Sequence, residues 1–231
     1  METGWAWALA GLGAIAAVRV LTKRAYASSA VVRAYVLAPV DRPFTADETQ
    51  LLIARWLMGV NWITDKVGSG RTLNAEAPPV FLTLPDSYGY VRNIAETGDV
   101  AAYVLQQLVE YVGRRPLDTE LWVVLTRGGG GFAGSMPQDR FAMLGDVAIE
   151  SILGNPGAVI DIIFPEIPRQ DKWGFVTPDA QTGALVHEVL HLVLLAPDLP
   201  DSGIMGSWDL WPNVDVEDLV LQLASTSAFF A

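Results

Sequence analysis

The chain has 231 residues, of which 51% are hydrophobic and 18% are charged, so its composition predicts a folded protein and excludes a disordered one. The net charge of −11 argues against a nucleic-acid partner, because phosphate binding requires clustered Lys and Arg side chains. The absence of cysteine rules out disulfides and thiolate metal ligands, which leaves His, Asp and Glu as the side chains able to hold a metal ion.

The first 27 residues form a separate apolar segment. Residues 4–21 contain one charged side chain and are just long enough to cross a bilayer as a helix. Tryptophans at the start of this run suit one membrane interface, and basic residues at and after its end suit the other. These interface residues are Trp5, Trp7, Arg19, Lys23 and Arg24. The pattern favours a single membrane anchor, with the rest of the chain in the cytoplasm.

Two other interpretations of the apolar segment remain open. The small residues at 25–27 could form the cleavage site of a secretory signal peptide, which would release the mature protein from the cell with an N-terminus near Ser28. The segment could also be a helix that is buried against a partner protein. The lack of Lys or Arg before the apolar run argues against the signal peptide, because such peptides begin with positive charge.

Residues 28–231 show no internal repeat or linker and are predicted to form one domain. Thr45 and Glu48 form a capping box at the start of one helix, and Asp99 and Gly113 bound another. The predicted strands are 29–37, 79–84, 120–126 and 157–164. The predicted helices are 45–63, 99–113 and 178–196.

A glycine-rich run at 127–135 follows the third predicted strand. Gly129, Gly131 and Gly134 fit the G-x-G-x-x-G spacing of dinucleotide-binding sites. The residues that follow do not begin a helix, however, and no second strand–helix–strand unit comes after them. We therefore interpret the run as a loop or a strand edge whose backbone stays open to another molecule.

The two histidines of the chain lie in one short motif, His187-Glu188-Val189-Leu190-His191. Four residues of helix turn through about 400°, so both imidazoles project from one face within reach of a single ion. Glu188 lies about 100° round the helix, where it can reach a water molecule beside the ion without binding the ion itself. The surrounding helix is apolar, and buried His and Glu side chains are costly there without a metal or hydrogen-bond partners.

The motif and the residues after it resemble the metzincin clan of zinc peptidases, in particular small bacterial matrixin-like members. That clan has the pattern H-E-x-x-H-x-x-G-x-x-H and then a Met-turn, which Ser202-Gly203-Ile204-Met205-Gly206 resembles. The resemblance implies an α+β, zincin-like fold with a twisted mixed sheet, a backing helix and an active-site helix. It also implies that Met205 lies beneath a Zn²⁺ ion. The strand at 120–126 would be the edge strand of the sheet and would lie, with its glycine-rich loop, above the cleft, where Gly129, Gly130 and Gly131 could pair with a peptide substrate.

The sequence departs from the metzincin pattern at two positions. Leu194 replaces the glycine that lets the chain turn out of the helix, and Pro197 occupies the position of the third histidine. A third protein ligand must therefore be a carboxylate. We predict Asp198, because Pro197 ends the helix and lets the chain fold back. Asp201 is the second choice, and Glu217 would complete a gluzincin-like site instead.

These residues predict a zinc-dependent endopeptidase in which His187, His191 and Asp198 hold Zn²⁺ and Glu188 acts as the general base. An alternative is a catalytically inactive relative that serves as a structural or docking subunit of a membrane or other large assembly. The missing glycine and histidine motivate this alternative, as do several apolar aromatic residues near the two ends of the chain. The aromatic residues are Trp5, Trp7, Trp208, Trp211, Phe229 and Phe230.

Overall fold

The computed structural model describes residues 30–155, 177–199 and 203–231. Its strands are β1 (Val31–Pro39), β2 (Val80–Leu84), β3 (Glu120–Thr126), β4 (Ala133–Met136) and β5 (Phe141–Leu144). Its helices are α1 (Ala46–Lys66), α2 (Tyr88–Thr97), α3 (Val100–Val112), α4 (Asp146–Ile152), α5 (Pro178–Leu194), α6 (Gly203–Gly206) and α7 (Asp218–Ala224). Short 3₁₀ turns lie at Pro137–Asp139 and Trp208–Leu210.

Several predicted features lie outside the described residues. These are the apolar helix at 4–21, the small residues at 25–27, the strand at 157–164, and Asp201. Within the described part of the chain, no helix is both long enough and apolar enough to cross a membrane.

The five strands form one mixed sheet in the order β2-β1-β3-β5-β4. The first four of these strands run parallel, whereas β4 runs antiparallel to β5 and is the outer strand at that side. Strand β3 lies at the centre, and every one of its residues is buried, so the expectation that 120–126 is the edge strand is wrong. Its run of large apolar residues fits a strand that is covered on both faces. The predicted mixed sheet of an α+β domain is therefore confirmed.

Helices cover both faces of the sheet. On one face, α1, α4 and α5 enclose the larger apolar core, to which β3 contributes Leu121, Val123 and Leu125. On the other face, α2 and α3 enclose a second core, to which β3 contributes Trp122 and Val124. The alternation follows from the two-residue period of a strand. We expected one backing helix besides the active-site helix. The structure has helices on both faces, because α2 and α3 cover the face of the sheet opposite α5.

Side-chain caps fix the helix boundaries that the sequence predicted. Thr45 accepts a hydrogen bond from the Glu48 backbone N–H, and the Glu48 carboxylate accepts one from the Thr45 N–H, which confirms the capping box. Asp99 caps α3, and Gly113 ends it in the left-handed region at φ 80°. The predicted helices at 45–63 and 99–113 therefore begin and end within three residues of α1 and α3.

The glycine-rich run forms a buried turn between β3 and β4. The Asp146 carboxylate accepts hydrogen bonds from the N–H groups of Gly128 and Gly130, at 2.8 and 2.9 Å. Arg92 lies 3.6 Å from the same carboxylate. Gly129 passes so close to Gly145 that a side chain on either would collide with the backbone of the other. The turn is thus held by a buried carboxylate, and it sets the position at which β4 begins.

We expect Asp146→Ala to lower the free energy of unfolding by about 3 kcal/mol, because it leaves two buried N–H groups without an acceptor. Asp139→Ala is the matched control. It removes a carboxylate whose partner, Arg115, has a side chain 69% exposed, so it should cost less than about 1 kcal/mol. Urea unfolding followed by tryptophan fluorescence measures both values. Equal losses for the two variants would contradict the assigned role of Asp146.

Candidate metal centre

The two histidines lie on one face of α5, a helix buried over almost its whole length. Their Nε2 atoms are 2.9 Å apart, and the rings meet edge to face. Each Nδ1 faces a backbone carbonyl, His187 that of Ile204 at 3.2 Å and His191 that of Ala196 at 2.7 Å. A carbonyl can only accept, so each Nδ1 carries the proton and each Nε2 presents a lone pair.

Asp198 completes a group of three donor atoms. Its Oδ1 is 3.1 Å from His191 Nε2 and 3.4 Å from His187 Nε2. The Asp198 side chain is 80% exposed, so the third donor closes the centre from the solvent side. His187, His191 and Asp198 can therefore hold a metal ion between them.

The turn that brings Asp198 to the histidines is displaced by one residue from the metzincin pattern. Helix α5 continues through Leu194 and ends at Leu195, which adopts the left-handed conformation at φ 54°. In the pattern, the turn residue precedes the third ligand by three positions. Here Leu195 precedes Asp198 by three positions as well. The spacing from the turn to Asp198 thus equals that of the pattern, one residue later, and Asp198 rather than Pro197 lies beside the histidines.

The segment Gly203–Gly206, which the resemblance predicts to be a Met-turn, contacts His187 and is joined to the Asp198 loop. Met205 is buried, at 2% exposure, and the Ile204 carbonyl before it faces the His187 ring. The Leu199 N–H donates to the Met205 carbonyl at 3.5 Å. These contacts connect the ligand loop and the Met-turn through backbone groups.

Glu217 supports the Met-turn and is not one of the three grouped donors. Its Oε1 accepts a hydrogen bond from the Met205 N–H at 2.8 Å. Its carboxylate also lies against Gly203, at φ 59°, where a side chain would collide with it. Of the alternative ligands, Glu217 is thus occupied with backbone positioning, and Asp201 lies outside the described residues.

The chemistry of the three donors fits a divalent cation such as Zn²⁺. Two neutral Nε2 lone pairs facing each other at 2.9 Å repel unless a cation or a shared proton lies between them. Burial, with His191 nearby, lowers the pKa of His187, which disfavours the protonated alternative. Two imidazole nitrogens and one carboxylate oxygen also form a known type of zinc-ligand set. The donors lie 2.9–3.4 Å apart, against about 3.3 Å for tetrahedral bonds of about 2.0 Å.

Glu188 is buried beside the donors. Its burial raises its pKa to about 7, an effect that Asp198 strengthens and that His191 and a hydrogen bond with Ser135 oppose. Its Oε2 atom is buried and has no hydrogen-bond partner among the described residues. The side chain therefore has a free oxygen and an affinity for protons suited to exchange near neutral pH.

Strand β4 passes along α5 on the same side as Glu188, and Ser135 lies on this strand. The glycines predicted to form a substrate edge lie before β4. Gly129 and Gly130 are buried in the turn that Asp146 holds, and Gly131 is exposed. Among the described strands, β4 and β2 are the two outer strands, and β4 is the one that passes along α5.

Three contributors to the centre, Ser135 and the carbonyls of Ala196 and Ile204, could not be recognised in the sequence. Ser135 had no recognisable signal, because β4 is only four residues long and mostly small or polar. The carbonyls of Ala196 and Ile204 have no side-chain signature at all. Glu217 was considered as a ligand, and its actual contact with the Met-turn depends on how α7 packs.

In metal-free protein, we expect Glu188→Gln to change the pH dependence of stability. The folded-state pKa of Glu188, about 7, exceeds the ordinary value of 4.5, so the folded state holds the proton more tightly. This contribution is complete below pH 4.5 and is lost as the pH rises through 7. Between pH 4.5 and 8, the free energy of unfolding of the variant should therefore rise by about 2–3 kcal/mol relative to that of wild type. Denaturant titrations in a chelator test this, and a difference independent of pH would contradict it.

No model of a protein family matches the sequence, and a comparison with curated proteins gives no significant match. Among solved structures, the fold is similar to the crystal structure of catalytically inactive OgpA from Akkermansia muciniphila in complex with an O-glycopeptide substrate, glycodrosocin. The identity is 11% and the TM-score is 0.48. The similarity covers 78% of this chain and 55% of the OgpA chain, so this chain spans about half the length of that structure.

Proposed function

We propose that the protein is a zinc-dependent endopeptidase of metzincin-like type. One observation carries this proposal: His187, His191 and Asp198 direct three donor atoms at one point, and the carboxyl of Glu188 is buried beside them. The Met-turn and the turn-to-ligand spacing of three residues support the metzincin type. A centre with three protein ligands leaves one position for water or substrate, which is typical of catalytic zinc.

Each residue of the site has a separate role in peptide hydrolysis. Bound Zn²⁺ would supply Lewis acidity, which polarises a water molecule and the carbonyl of the scissile bond. Glu188 accepts a proton from the attacking water at its free carboxylate oxygen and later donates it to the leaving amine. Ser135 fixes the other side of that carboxyl group. The Ala196 and Ile204 carbonyls hold the two imidazoles in the tautomer that presents Nε2.

A peptide substrate would bind along β4. This strand is one of the two outer strands of the described sheet, and it passes along the helix that carries Glu188. An extended peptide can add to such a strand through backbone hydrogen bonds, which places its carbonyl groups in a regular row. Gly131 is exposed just before this edge and could extend the pairing by a residue or two.

We expect wild-type protein to bind about one zinc ion per chain, and His187→Ala, His191→Ala and Asp198→Ala to weaken binding more than about a hundredfold each. The displaced turn gives a sharper test. Asp198→His should keep zinc. Adding Pro197→His to the Asp198→Ala protein should not restore zinc binding. Metal analysis by mass spectrometry after dialysis measures each case. Restoration by a histidine at 197 would contradict the displaced turn.

Glu188→Gln is the control that separates metal binding from catalysis. It should keep zinc and lose about 10²–10⁴-fold of the peptidase activity, because it removes the proton acceptor and no ligand. Glu217→Gln should also keep zinc. If Glu217→Gln instead lost the metal, the site would be gluzincin-like. If wild type bound zinc and cleaved no peptide, the alternative of an inactive docking subunit would stand.

The membrane anchor at residues 4–21 is a second part of the proposal, and it rests on the apolar sequence alone. We expect the full-length chain to need detergent and a chain beginning at Ser28 to need none. Membrane fractionation of the two forms measures this. A mature N-terminus found at Ser28 would indicate a cleaved signal peptide instead, and a full-length chain that stays soluble would contradict the anchor.

A further inference from the structure

The peptide group between Ile204 and Met205 connects the metal centre to a carboxylate on its far side. Its carbonyl oxygen lies 3.2 Å from His187 Nδ1, and its N–H donates to Glu217 Oε1 at 2.8 Å. The peptide bond is trans, so its N–H and C=O groups point in opposite directions within one plane. Glu217 and His187 therefore lie on opposite sides of one rigid group.

The Glu217 carboxylate is closely enclosed in this place. Its Oε2 atom is buried and has no hydrogen-bond partner among the described residues. Gly203, at φ 59°, lies against the carboxylate, and a side chain at that position would collide with it. A neutral oxygen would accept from the Met205 N–H without the cost of enclosing part of a charge. The need for a hydrogen-bond acceptor therefore does not by itself account for a carboxylate here.

A carboxylate that accepts from a peptide N–H polarises the whole peptide group, because hydrogen bonds in series strengthen one another at low dielectric constant. The Ile204 carbonyl then becomes a stronger acceptor for the His187 Nδ1–H. An imidazole whose Nδ1–H is held by a stronger acceptor presents a more electron-rich Nε2 to a cation, as in the carboxylate–histidine pairs that orient zinc ligands. Here the peptide group stands between the carboxylate and the imidazole and transmits the effect.

His191 lacks such a connection. Its Nδ1 faces the Ala196 carbonyl at 2.7 Å, and that carbonyl belongs to the peptide group that contains the Pro197 nitrogen. A proline nitrogen carries no hydrogen, so no carboxylate can accept a hydrogen bond from this peptide group and polarise it in the same way. The two histidines therefore receive the same kind of backbone contact from two chemically different peptide groups.

We propose that Glu217 is a positioning residue whose charge acts on His187 through the Ile204–Met205 peptide group and makes His187 a stronger donor to Zn²⁺. The inference rests on the proposed zinc site, and it gives Glu217 a part in that site without contact with the ion. It also gives Pro197 a consequence, because the proline leaves His191 outside this effect.

Glu217→Gln tests the charge, because it keeps an oxygen that can accept from the Met205 N–H. We expect its Kd for Zn²⁺, measured by competition with a chelator, to be about tenfold higher than that of wild type, a change too small to empty the site on dialysis. Asp218→Asn is the matched control, since it removes a carboxylate from the next residue, which is exposed. The control should change the Kd less than about twofold.

Nuclear magnetic resonance of the two imidazoles provides a readout that general loosening of the fold would not reproduce. The chain has only two histidines, so each Nδ1–H proton can be followed in the zinc-loaded and in the metal-free protein. In Glu217→Gln, the His187 Nδ1–H resonance should move upfield, which reports a weaker hydrogen bond. The His191 resonance should stay where it is in wild type.

Unchanged resonances in Glu217→Gln, or equal shifts at both histidines, would overturn the inference, as would a change in Kd no larger than that of Asp218→Asn. If wild type binds zinc and cleaves no peptide, the endopeptidase proposal fails, and these comparisons still decide the role of Glu217. If wild type binds no zinc, the proposed function fails. A shift confined to His187 in the metal-free spectra would then still support the polarised peptide group, and its absence would refute it.

Discussion

The site depends on one constraint: the Nε2 atoms of His187 and His191, on the buried helix α5, face each other at 2.9 Å. The arrangement persists because each ring is held from behind by a backbone carbonyl, from Ala196 on the ligand loop and Ile204 on the Met-turn. Those carbonyls are positioned in turn by the left-handed turn at Leu195 and by Glu217. The structure therefore uses backbone groups to maintain a repulsive arrangement that a divalent cation would relieve.

Strand β4 depends on a second buried charge, Asp146, which lies where β3 and β5 end. Asp146 accepts from Gly128 and Gly130, and Arg92 partly balances its charge. Burial still raises the pKa of Asp146, so the carboxylate is costly there. Its contribution is geometric, because it fixes the turn from which β4 starts and so the position of Ser135 beside Glu188. The turn and the buried carboxyl of Glu188 are thus linked through β4.

The sequence predicted the parts of the fold that local chemistry decides. Helices α1 and α3 and the central strand β3 were found because caps and apolar runs identify them. Strands β4 and β5 were missed because four residues show no period and are stabilised by their neighbours. In the site, the spacing of His187 and His191 predicted their convergence. The hydrogen bond between Glu188 and Ser135 could not be predicted, since it requires the register of an unrecognised strand.

The departures from the metzincin pattern, which seemed at first to argue for a lost function, have a coherent physical explanation. A helix that runs one residue further must turn one residue later, and the ligand then follows at the same spacing. The left-handed turn at Leu195 therefore brings the carboxylate of Asp198 to the two histidines although Leu194 and Pro197 replace the residues of the pattern.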